Sequence, residues 1–369
     1  MTASTPKPSK ATKSSRHKLP TLADVAREAG VSDVAASCAI NAGRGSTRVS
    51  AETRERVLAA AKRLRYLPNA TARALSRQRT NAIGFVANIA YEEPNLYFQE
   101  LFNGVVRGAT EAEQTTCIFP LSGWDEAPKR IPALCDGRVD GLIVLAPHLE
   151  DDSTTWLPPH TPLVTIHAGA HLQAQVNVEA DDEAGGFAIV DHMFNLGYRH
   201  ILCVGGPPPN KSADRRVDGF LRAHAKNGVE VAFDHVIRTW FTVADGRQAM
   251  EKWLQAHHGE QLPEAIFCGN DDIAFGCMEA LEARGLNVPR DVSIAGFDHT
   301  LLARTLHMAT VRQPLLEMGR QAVTVLIQLI EAQRGGGPYE GPRNIVLPVE
   351  IVAGRTLAAA PRNAPLTIL

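Results

Sequence analysis

The sequence predicts an α/β protein with an N-terminal all-α helix-turn-helix headpiece and a two-lobed core of doubly wound parallel sheets. Three observations support this fold class. Two short helical patterns joined by a glycine turn follow Thr21, and residues 1–80 are strongly basic whereas the remainder is acidic. From residue 82 onward, short apolar runs alternate with helical patterns, as is typical of parallel sheets. Residues 82–356 exceed one comfortable lobe, so we expect two.

The headpiece begins with two short helices. Thr21 is a typical N-cap for a helix over Leu22–Ala29, and Gly30 tolerates the positive φ that a tight turn often needs. Ser32 then caps a second helix, predicted over Asp33–Ile40. The outward positions of this helix are Asp33, Val34, Ser37 and Cys38. A helix that presents its first turn outward from such a turn has the geometry that enters a DNA major groove.

A third helix, predicted over Ala51–Arg65 with Ser50 as its cap, completes the headpiece. We expect it to bury Val57, Ala61 and Leu64 and to expose several arginine and lysine side chains. An ordinary three-helix mini-domain with a solvated basic face is the alternative. Motif and charge together favour DNA binding.

Charge separates the two parts of the chain. Residues 1–80 carry 16 Lys and Arg against 5 Asp and Glu, a net charge of +11, and the other 289 residues carry a net charge of −13. This asymmetry indicates a polyanionic partner for the first part only. Counterion release then supplies much of the affinity. Residues 1–19, rich in Lys, Ser, Thr and Pro, are predicted to be a disordered basic tail.

A short helix is predicted to start at Pro68 and Asn69 and to end before the polar stretch 76–81. A helix of fewer than ~10 residues is marginal in water and needs a partner. Leu75 has no obvious core to join, which suits a wedge between base steps in the minor groove. The alternative is a frayed linker whose Leu75 packs on the following domain.

The strands predicted for the core are Ile83–Ala87, Thr116–Pro120, Gly141–Leu145, Leu163–Ile166, Ile201–Val204, Ala265–Cys268 and Val292–Ala295. The helices predicted between them are Phe98–Glu113, Glu183–Leu196, Ala213–Lys226, Gly246–Ala256 and Ile273–Arg284. We expect the chain to cross between lobes near Val176–Glu179, Leu306–Ala309 and Gly335–Gly341. A plain surface loop is the alternative at the last of these.

Ligands of open α/β lobes bind at the carboxyl ends of strands and at the N-termini of the following helices. Asn270, Asp298 and Arg216 occupy such positions, whereas Asp271 is as readily a helix cap. Arg216 offers a fork of donors and Asp298 a paired acceptor, which together suit a vicinal diol or a purine edge. Aromatic side chains that could stack on a sugar or base are Tyr97, Phe98 and Phe241, with the core as their alternative place.

The remaining motifs argue against catalysis, metal and membrane. The six cysteines form no CxxC pair, and Cys117, Cys203 and Cys268 lie in apolar runs, which suits buried free thiols in a reducing cytoplasm. The histidines lack an acidic or cysteine cluster around them, and no catalytic motif is present, so we expect no metal, no cofactor and no enzyme activity. We also expect no membrane span and no secretory leader.

From Thr21 to Leu75 the sequence resembles the headpiece of the LacI/GalR family of bacterial repressors. The likeness continues to about residue 356 through the blocks VDGLIVLAP (139–147), DDEAGGFAIVDHMFNLGYRHI (181–201), FCGNDDIAFGCMEAL (267–281), VPRDVSIAGFDH (288–299) and TVRQPLLEMGRQAV (310–323). The resemblance implies a periplasmic-binding-protein-like core, paired hinge helices in a homodimer, a palindromic double-stranded DNA operator, and a small-molecule effector between the lobes. The effector we expect is a sugar or sugar derivative, with a purine or nucleoside as the second candidate.

The resemblance also assigns domains and site residues. The domains are a tail (1–19), a DNA-binding domain (20–67), a hinge helix and linker (68–81), an effector-binding and dimerisation domain (82–356) and a C-terminal tail (357–369). The DNA-binding candidates are Thr21, Ser32, Asp33, Val34, Ala35, Ser37, Cys38, Asn41, Arg44, Arg48, Asn69, Arg73 and Leu75. The effector-binding candidates are Tyr97, Phe98, Asn210, Ser212, Arg216, Phe241, Asn270 and Asp298, of which Asn210 and Ser212 are weaker matches.

Two departures from the family pattern matter. Where the family commonly has Thr and then Val-Ser-Arg, this chain has Ala35 and then Ala36-Ser37-Cys38, and the loop Ala42–Arg48 is a few residues longer. The C-terminal tail shows no heptad, so we expect a dimer rather than a tetramer. The predicted function is therefore an effector-controlled transcriptional regulator, most simply a repressor. The alternatives are a solute-binding or sugar-modifying protein on the same core with a non-specific DNA head.

Overall fold

A computed structural model describes residues 19–41, 49–88, 95–146, 156–157, 159–168 and 176–359, with only the backbone at residues 76 and 77. The chain divides between Thr80 and Asn81 into two compact units, each of which is described by itself below. The predictions for the basic tail up to residue 18, for the loop that holds Arg44 and Arg48, and for the tail from residue 360 lie outside the described residues.

The first unit contains α1 (Leu22–Ala29), α2 (Asp33–Ile40), α3 (Ala51–Arg63) and α4 (Ala70–Arg77). The predicted N-caps all bond to the backbone: Thr21 forms a capping box with Asp24, and Ser32 and Ser50 accept from the third residue beyond each of them. Asn69, predicted to lie at the start of the fourth helix, is its N-cap and accepts from Ala72 N. The third helix ends two residues earlier than predicted, because Arg65 adopts a left-handed φ of 51°.

The core of this unit is small. Val25, Ala36 and Val57 are fully buried, one from each of the first three helices. Ala60 is buried in place of the predicted Ala61, which is only partly buried, as is Leu64. The described backbone of α1, α2 and α3 therefore has the helix-turn-helix arrangement that the sequence predicts.

The second unit contains two parallel sheets, one in each lobe. The first lobe has the strand order β11-β5-β4-β3-β1-β2, and the second lobe has the order β12-β10-β9-β8-β6-β7. Every pairing is parallel except that of β10 with β12. The strands are β1 (Ala82–Asn88), β2 (Thr115–Leu121), β3 (Gly141–Leu145), β4 (Leu163–Ile166), β5 (Val176–Ala180), β6 (Ile201–Gly205), β7 (Val236–Arg238), β8 (Ala265–Cys268), β9 (Ser293–Asp298), β10 (Ala309–Arg312), β11 (Asn344–Leu347) and β12 (Glu350–Val352).

All seven predicted core strands and all five predicted core helices are present, with ends shifted by up to three residues. The helices are α5 (Leu96–Glu111), α6 (Ala127–Leu134), α7 (Asp182–Asn195), α8 (Lys211–Lys226), α9 (Val243–Ala256), α10 (Asp271–Glu282), α11 (Leu301–Leu306) and α12 (Leu315–Gly335). Apolar side chains from α5 and α12 pack on the first sheet. Those of α7 and α8, and of α9 and α10, pack on the second sheet.

The chain crosses between the lobes three times, and two of the crossings differ from prediction. The first follows β5 at Asp181, close to the predicted Val176–Glu179. The second lies between β10 and α12, at Gln313 and Pro314, and the third lies between β11 and β12. The predicted Leu306–Ala309 instead leads into β10 within the second lobe. The glycine run from Gly335 only ends α12, where Gly336 adopts a φ of 71°.

Candidate functional site

A cavity of about 360 Å³ lies between the two lobes of the second unit. The eight residues predicted to bind an effector all line it: Tyr97, Phe98, Asn210, Ser212, Arg216, Phe241, Asn270 and Asp298. They meet because the carboxyl ends of parallel strands share one edge of a sheet, and the helices that follow begin there. Asn270 follows β8 and caps α10, Asp298 ends β9, and Arg216 lies in the second turn of α8.

Arg216 is the charged centre of the cavity floor and is only 4% exposed. Its Nε donates to Asp182 Oδ1 at 2.8 Å, and its Nη1 donates to Gly269 O at 2.6 Å and to Asp298 Oδ1 at 3.4 Å. The guanidinium also lies over the Phe297 ring, 4.0 Å from its centroid. Among the described residues, the third nitrogen, Nη2, has no hydrogen-bond partner, so it is the donor left for a ligand.

Glycines allow Arg216 to reach this position. A Cβ on Gly186 of α7 would lie 2.4 Å from the backbone oxygen of Arg216, and a Cβ on Gly219 of α8 would lie 2.4 Å from Glu183 O. The two helices are therefore close enough for Arg216 to meet Asp182, the first residue of α7. Gly186 is thus a contact between helices, whereas Gly185 lies against Phe297 and Val311 of the sheet.

Buried carboxylates outnumber the cation beside them. Asp298 accepts from Gln313 Nε2 at 2.5 Å as well as from Arg216, and burial raises the pKa of this carboxyl well above its usual value despite the guanidinium. Asp271 accepts from Thr300 N at 2.7 Å and Thr310 Oγ1 at 2.7 Å, and burial raises its pKa to about 7. These bonds give Asp271 a structural role, whereas Asn270 is the residue that caps α10.

Asp298 also has an unusual backbone. Its φ is 105°, in the region that favours glycine, and the next residue, His299, has a φ of 59°. Non-glycine residues persist in such conformations only where the surrounding structure holds them, and they cluster at functional sites. Among the described residues, Asp298 Oδ2 has no partner, so this oxygen is an acceptor left beside Arg216 Nη2.

A histidine that the sequence reasoning missed lines the first lobe's side of the cavity. His167 follows β4, and its Nε2 accepts from Ala180 N at 3.1 Å. The proton of the neutral ring therefore resides on Nδ1, which donates to Tyr97 Oη at 2.6 Å. Burial lowers the pKa of His167, so the ring is neutral at pH 7. The Tyr97 and His167 rings stack at 5.9 Å.

Aromatic side chains form much of the cavity wall, and two of them were also missed. Trp124 lies after β2 in the first lobe, and Trp240 lies after β7 in the second, where it is 62% exposed. Phe98 stacks on Phe102 at 5.8 Å and packs on the core of the first lobe, so it serves the core as well as the wall. Trp240 is thus the most accessible of these rings.

Two of the candidate side-chain amides, Asn210 and Asn270, already form hydrogen bonds within the protein. Asn210 Oδ1 accepts from Ala213 N at 3.0 Å and caps α8. Asn270 Oδ1 accepts from Ile273 N at 2.8 Å, and its Nδ2 donates to Phe241 O at 3.3 Å. Ser212 is buried, at 8% exposure, in the first turn of α8. Among the described residues, Arg216 Nη2 and Asp298 Oδ2 are therefore the open atoms of the charged residues, and Asn210 Nδ2 and Ser212 Oγ are the open atoms of the neutral candidates.

In the first unit, the structure separates outward side chains from those that hold the helices. Asp33 and Val34 are exposed on α2, and Ala35 and Cys38 are half-buried. Ser37 Oγ accepts from Asn41 Nδ2 at 3.2 Å, so these two candidates bond to each other. Thr21, Ser32 and Asn69 use their side-chain oxygens as caps. Arg73 is exposed and Leu75 is 83% exposed on α4.

Cysteine burial follows the prediction in part. Cys203 and Cys268 are fully buried free thiols, as predicted, and burial raises the pKa of Cys203 to about 12. Cys117 is only half-buried, because β2 is the edge strand of its sheet. Within the described ranges, no group of three or more His, Cys, Asp or Glu side chains is arranged to hold a metal ion.

None of the helices in the described part of the chain combines the length and the apolar character needed to span a membrane.

Comparison with known proteins gives the family. The family model for bacterial regulatory proteins of the lacI family matches residues 21–69, and the model for a periplasmic binding protein-like domain matches residues 190–357. The HTH-type transcriptional repressor PurR of Aliivibrio fischeri is 31% identical over 317 residues, which cover 84% of this chain and 92% of that protein. The HTH-type transcriptional regulator DegA of Bacillus subtilis is 31% identical over 340 residues, which cover 90% and 96%.

Two solved structures extend the likeness to the fold. The lac repressor dimer bound to operator and the anti-inducer ONPF matches with a TM-score of 0.80 at 26% identity, covering 93% of this chain and 100% of that one. The transcriptional regulator CelR in complex with cellobiose matches with a TM-score of 0.66 at 26% identity, covering 91% and 99%. The two units thus define a DNA-binding transcriptional regulator with an effector-binding core. The chain belongs to the lacI family of bacterial regulatory proteins.

Proposed function

We propose that this regulator is a homodimeric repressor in the cytoplasm, that it binds a palindromic operator, and that a small polar effector between its lobes controls its affinity for DNA. One headpiece reads only a few base pairs, so a two-fold pair of half-sites requires two heads. The dimeric, operator-bound state named for the lac repressor supports this assembly. No catalytic role is assigned to the core.

The effector that we propose is a sugar or sugar derivative. The observation that carries this is the open pair on the cavity floor, Arg216 Nη2 as donor and Asp298 Oδ2 as acceptor. Adjacent hydroxyls of a sugar satisfy both, since one hydroxyl accepts while its neighbour donates. Aromatic walls such as Trp124, Trp240 and Phe241 suit the apolar face of a pyranose.

A purine or nucleoside is the second candidate. The same donor and acceptor match the edge of a base, and the Tyr97 and Phe241 rings offer stacking surfaces. The cellobiose complex of CelR supports a sugar as the first candidate.

The residue roles follow from the cavity lining in the core and from the outward positions of α2 and α4 in the headpiece. We assign effector contact to Arg216, Asp298, Tyr97 and Phe241, and we add Trp240 and Trp124 to the original candidates. We assign base contact to the outward residues of α2, namely Asp33, Val34, Ser37 and Cys38, and minor-groove insertion to the exposed Leu75. The division into a DNA-binding domain (20–67), a hinge (68–81) and an effector domain (82–356) completes the proposal.

A binding-site selection with the full chain tests the operator, and the selected DNA then serves to test the effector. Fluorescence anisotropy with that operator is repeated with ribose, glucose, cellobiose, adenosine and hypoxanthine. Asp298→Asn replaces one carboxyl oxygen of the acceptor in the cavity with an amide nitrogen. Asp191→Asn is the control, because Asp191 lies in the same lobe but does not line the cavity. Its carboxylate pairs with Lys226 Nζ at 2.8 Å.

We expect a sugar to change the operator affinity of the wild-type chain and of Asp191→Asn, with the response lost in Asp298→Asn. A response that survives in Asp298→Asn contradicts the cavity assignment. A response to the nucleoside or the base alone replaces the sugar class with the second candidate. Turnover of a sugar by the purified protein contradicts the absence of a catalytic role, and a selection that enriches no motif contradicts sequence-specific repression.

A further inference from the structure

An ion pair joins the two lobes beside the cavity. Glu100 lies in α5 of the first lobe, three residues after Tyr97, and Arg304 lies in α11 of the second lobe, which follows Asp298. Arg304 Nη2 donates to Glu100 Oε1 at 2.7 Å, and Arg304 Nη1 donates to Glu100 Oε2 at 3.2 Å. Two parallel bonds between a guanidinium and a carboxylate fix the orientation as well as the distance.

A third bond strengthens the contact. The amide of Leu301, the first residue of α11, donates to Glu100 Oε1 at 3.0 Å. The first amides of a helix have no partner within the helix, so Glu100 of one lobe supplies the acceptor that α11 of the other lobe lacks. Arg304 is in turn held by His299 O, to which its Nη1 donates at 2.8 Å.

We propose that Glu100 and Arg304 form a latch that holds the lobes closed over the cavity and sets the balance between a closed and an open core. The three crossing segments permit hinge motion between the lobes. The latch joins α5, whose first turn contains the cavity residues Tyr97 and Phe98, to the helix that follows Asp298. The lobes therefore cannot separate at the cavity without breaking its three bonds.

A second interlobe ion pair lies in a different place. Arg215 Nη1 of α8 is 2.7 Å from Glu179 Oε1 of β5, but Glu179 precedes the first crossing by two residues. Hinge motion changes distances little next to the hinge itself, so this pair persists in both states. The Glu100–Arg304 pair is also partly exposed, with side chains 26% and 42% accessible, which makes it breakable and sensitive to salt.

The test needs no ligand. Trp124 lines the cavity and is half-buried, whereas Trp240 is already exposed in the closed core. Acrylamide quenching of tryptophan fluorescence is therefore measured in a Trp240→Phe background of the full chain, where it reports opening. Hydrogen exchange at the Leu301 amide reports the local bond. The variants are Glu100→Ala, Arg304→Ala and the charge exchange Glu100→Arg with Arg304→Glu. Glu111→Ala is the control, because Glu111 of α5 pairs with Arg320 of α12 at 2.8 Å within the first lobe.

We expect each single variant to raise the ratio of open to closed core roughly two- to fivefold, as for an exposed ion pair, and to raise the quenching constant accordingly. High salt should raise quenching of the wild-type chain toward the same level. The charge exchange should restore wild-type quenching but leave the Leu301 amide unprotected, since Arg has no acceptor atom. Both side chains are exposed enough for the variants to fold, which circular dichroism verifies.

Quenching that is unchanged in both single variants overturns the latch, as does an equal rise in Glu111→Ala. A charge exchange that leaves quenching at the level of the single variants also overturns it, because the interlobe charge contact is then not what holds the lobes.

Discussion

Arg216→Ala is the most informative single change in the core, because Arg216 serves the fold as well as the cavity. Its guanidinium is the cation that faces Asp182 and Asp298, whose side chains are 0% and 4% exposed. Removing it leaves two buried carboxylates without their counter-charge. Breaking a buried pair from one side typically costs about 3–5 kcal/mol. The contact with the Phe297 ring, 4.0 Å away, is lost as well.

This loss is large against a whole domain stability of about 5–15 kcal/mol. We therefore expect Arg216→Ala to lower the free energy of unfolding of the core by about 3–5 kcal/mol at pH 7, measured by urea denaturation. Arg215→Ala is the control one residue away, because Arg215 is 32% exposed and its partner Glu179 also accepts from Asn177 and Asn344. That variant should lose about 1–3 kcal/mol.

The double variant Arg216→Ala with Asp298→Asn separates charge from packing. Without the guanidinium, the buried Asp298 carboxyl must either carry an unpaired charge or bind a proton, and Asn in its place removes that cost. The double variant should therefore be more stable than Arg216→Ala alone. A loss below about 1 kcal/mol in Arg216→Ala, or no recovery in the double variant, would refute the claim that this arginine neutralises the cavity floor. Loss of effector binding in Arg216→Ala alone does not separate a lost contact from a lost fold, which is why Asp298→Asn is the better test of binding.

Three further predictions concern pH, operator and assembly. Because burial raises the pKa of Asp271 from 3.8 to about 7, the folded core binds more protons than the unfolded chain between these values, and its stability falls as pH rises through that window. Measured by urea denaturation, the free energy of unfolding should be roughly 2–4 kcal/mol lower at pH 8 than at pH 5, and this difference should be smaller in Asp271→Asn. An equal difference in both proteins would contradict the assignment of the pH dependence to Asp271. An arginine at the position of Cys38 would make a bidentate contact to guanine worth ~1–3 kcal/mol, which Cys38 cannot make. Binding-site selection should therefore return a two-fold symmetric operator that differs from the family's usual half-site at that base, and Cys38→Arg should shift the preference toward guanine. Recovery of the usual half-site by the wild-type chain would show this prediction wrong. Light scattering at micromolar protein with operator should give a dimer, and either a monomer or a tetramer would contradict the proposed assembly.

Periodicity and caps predicted most elements of the fold. The seven predicted strands are short apolar runs. Six of them are interior strands whose side chains are buried on both faces of the sheet, so the apolar pattern in the sequence was strong. The strands that were missed include β7, β11 and β12, which are three or four residues long and only partly buried or exposed. Helix α12 was missed although it has 21 residues, because it has no side-chain cap and follows β10 after a turn of two residues.

The crossings between lobes show where local signals stop. The run from Gly335 to Pro338 correctly predicts a break in helical structure, since Gly336 adopts a left-handed φ after α12. The break does not lead to the other lobe, because the next strand, β11, pairs with β5 of the same sheet. The third crossing comes later, at Pro348 and Val349, where nothing in the local sequence differs from an ordinary turn between strands. Strand pairing, which is non-local, decides the crossing.

The cavity shows the same limit at the level of atoms. The rule that ligands bind at strand ends placed Arg216, Asn270 and Asp298 in one cavity, and the same rule applied to β4 would have added His167. The rule missed Trp240 because this residue follows β7, a strand too short to predict. The rule finds positions and says nothing about which polar atoms remain open there. Asn270 occupies the right place with its oxygen committed to α10, whereas Arg216 keeps Nη2 and Asp298 keeps Oδ2 among the described contacts. Since binding depends on open atoms, the chemistry of the effector follows from the partners of each side chain. The partners of Arg216 lie 34, 53 and 82 residues from it in the sequence.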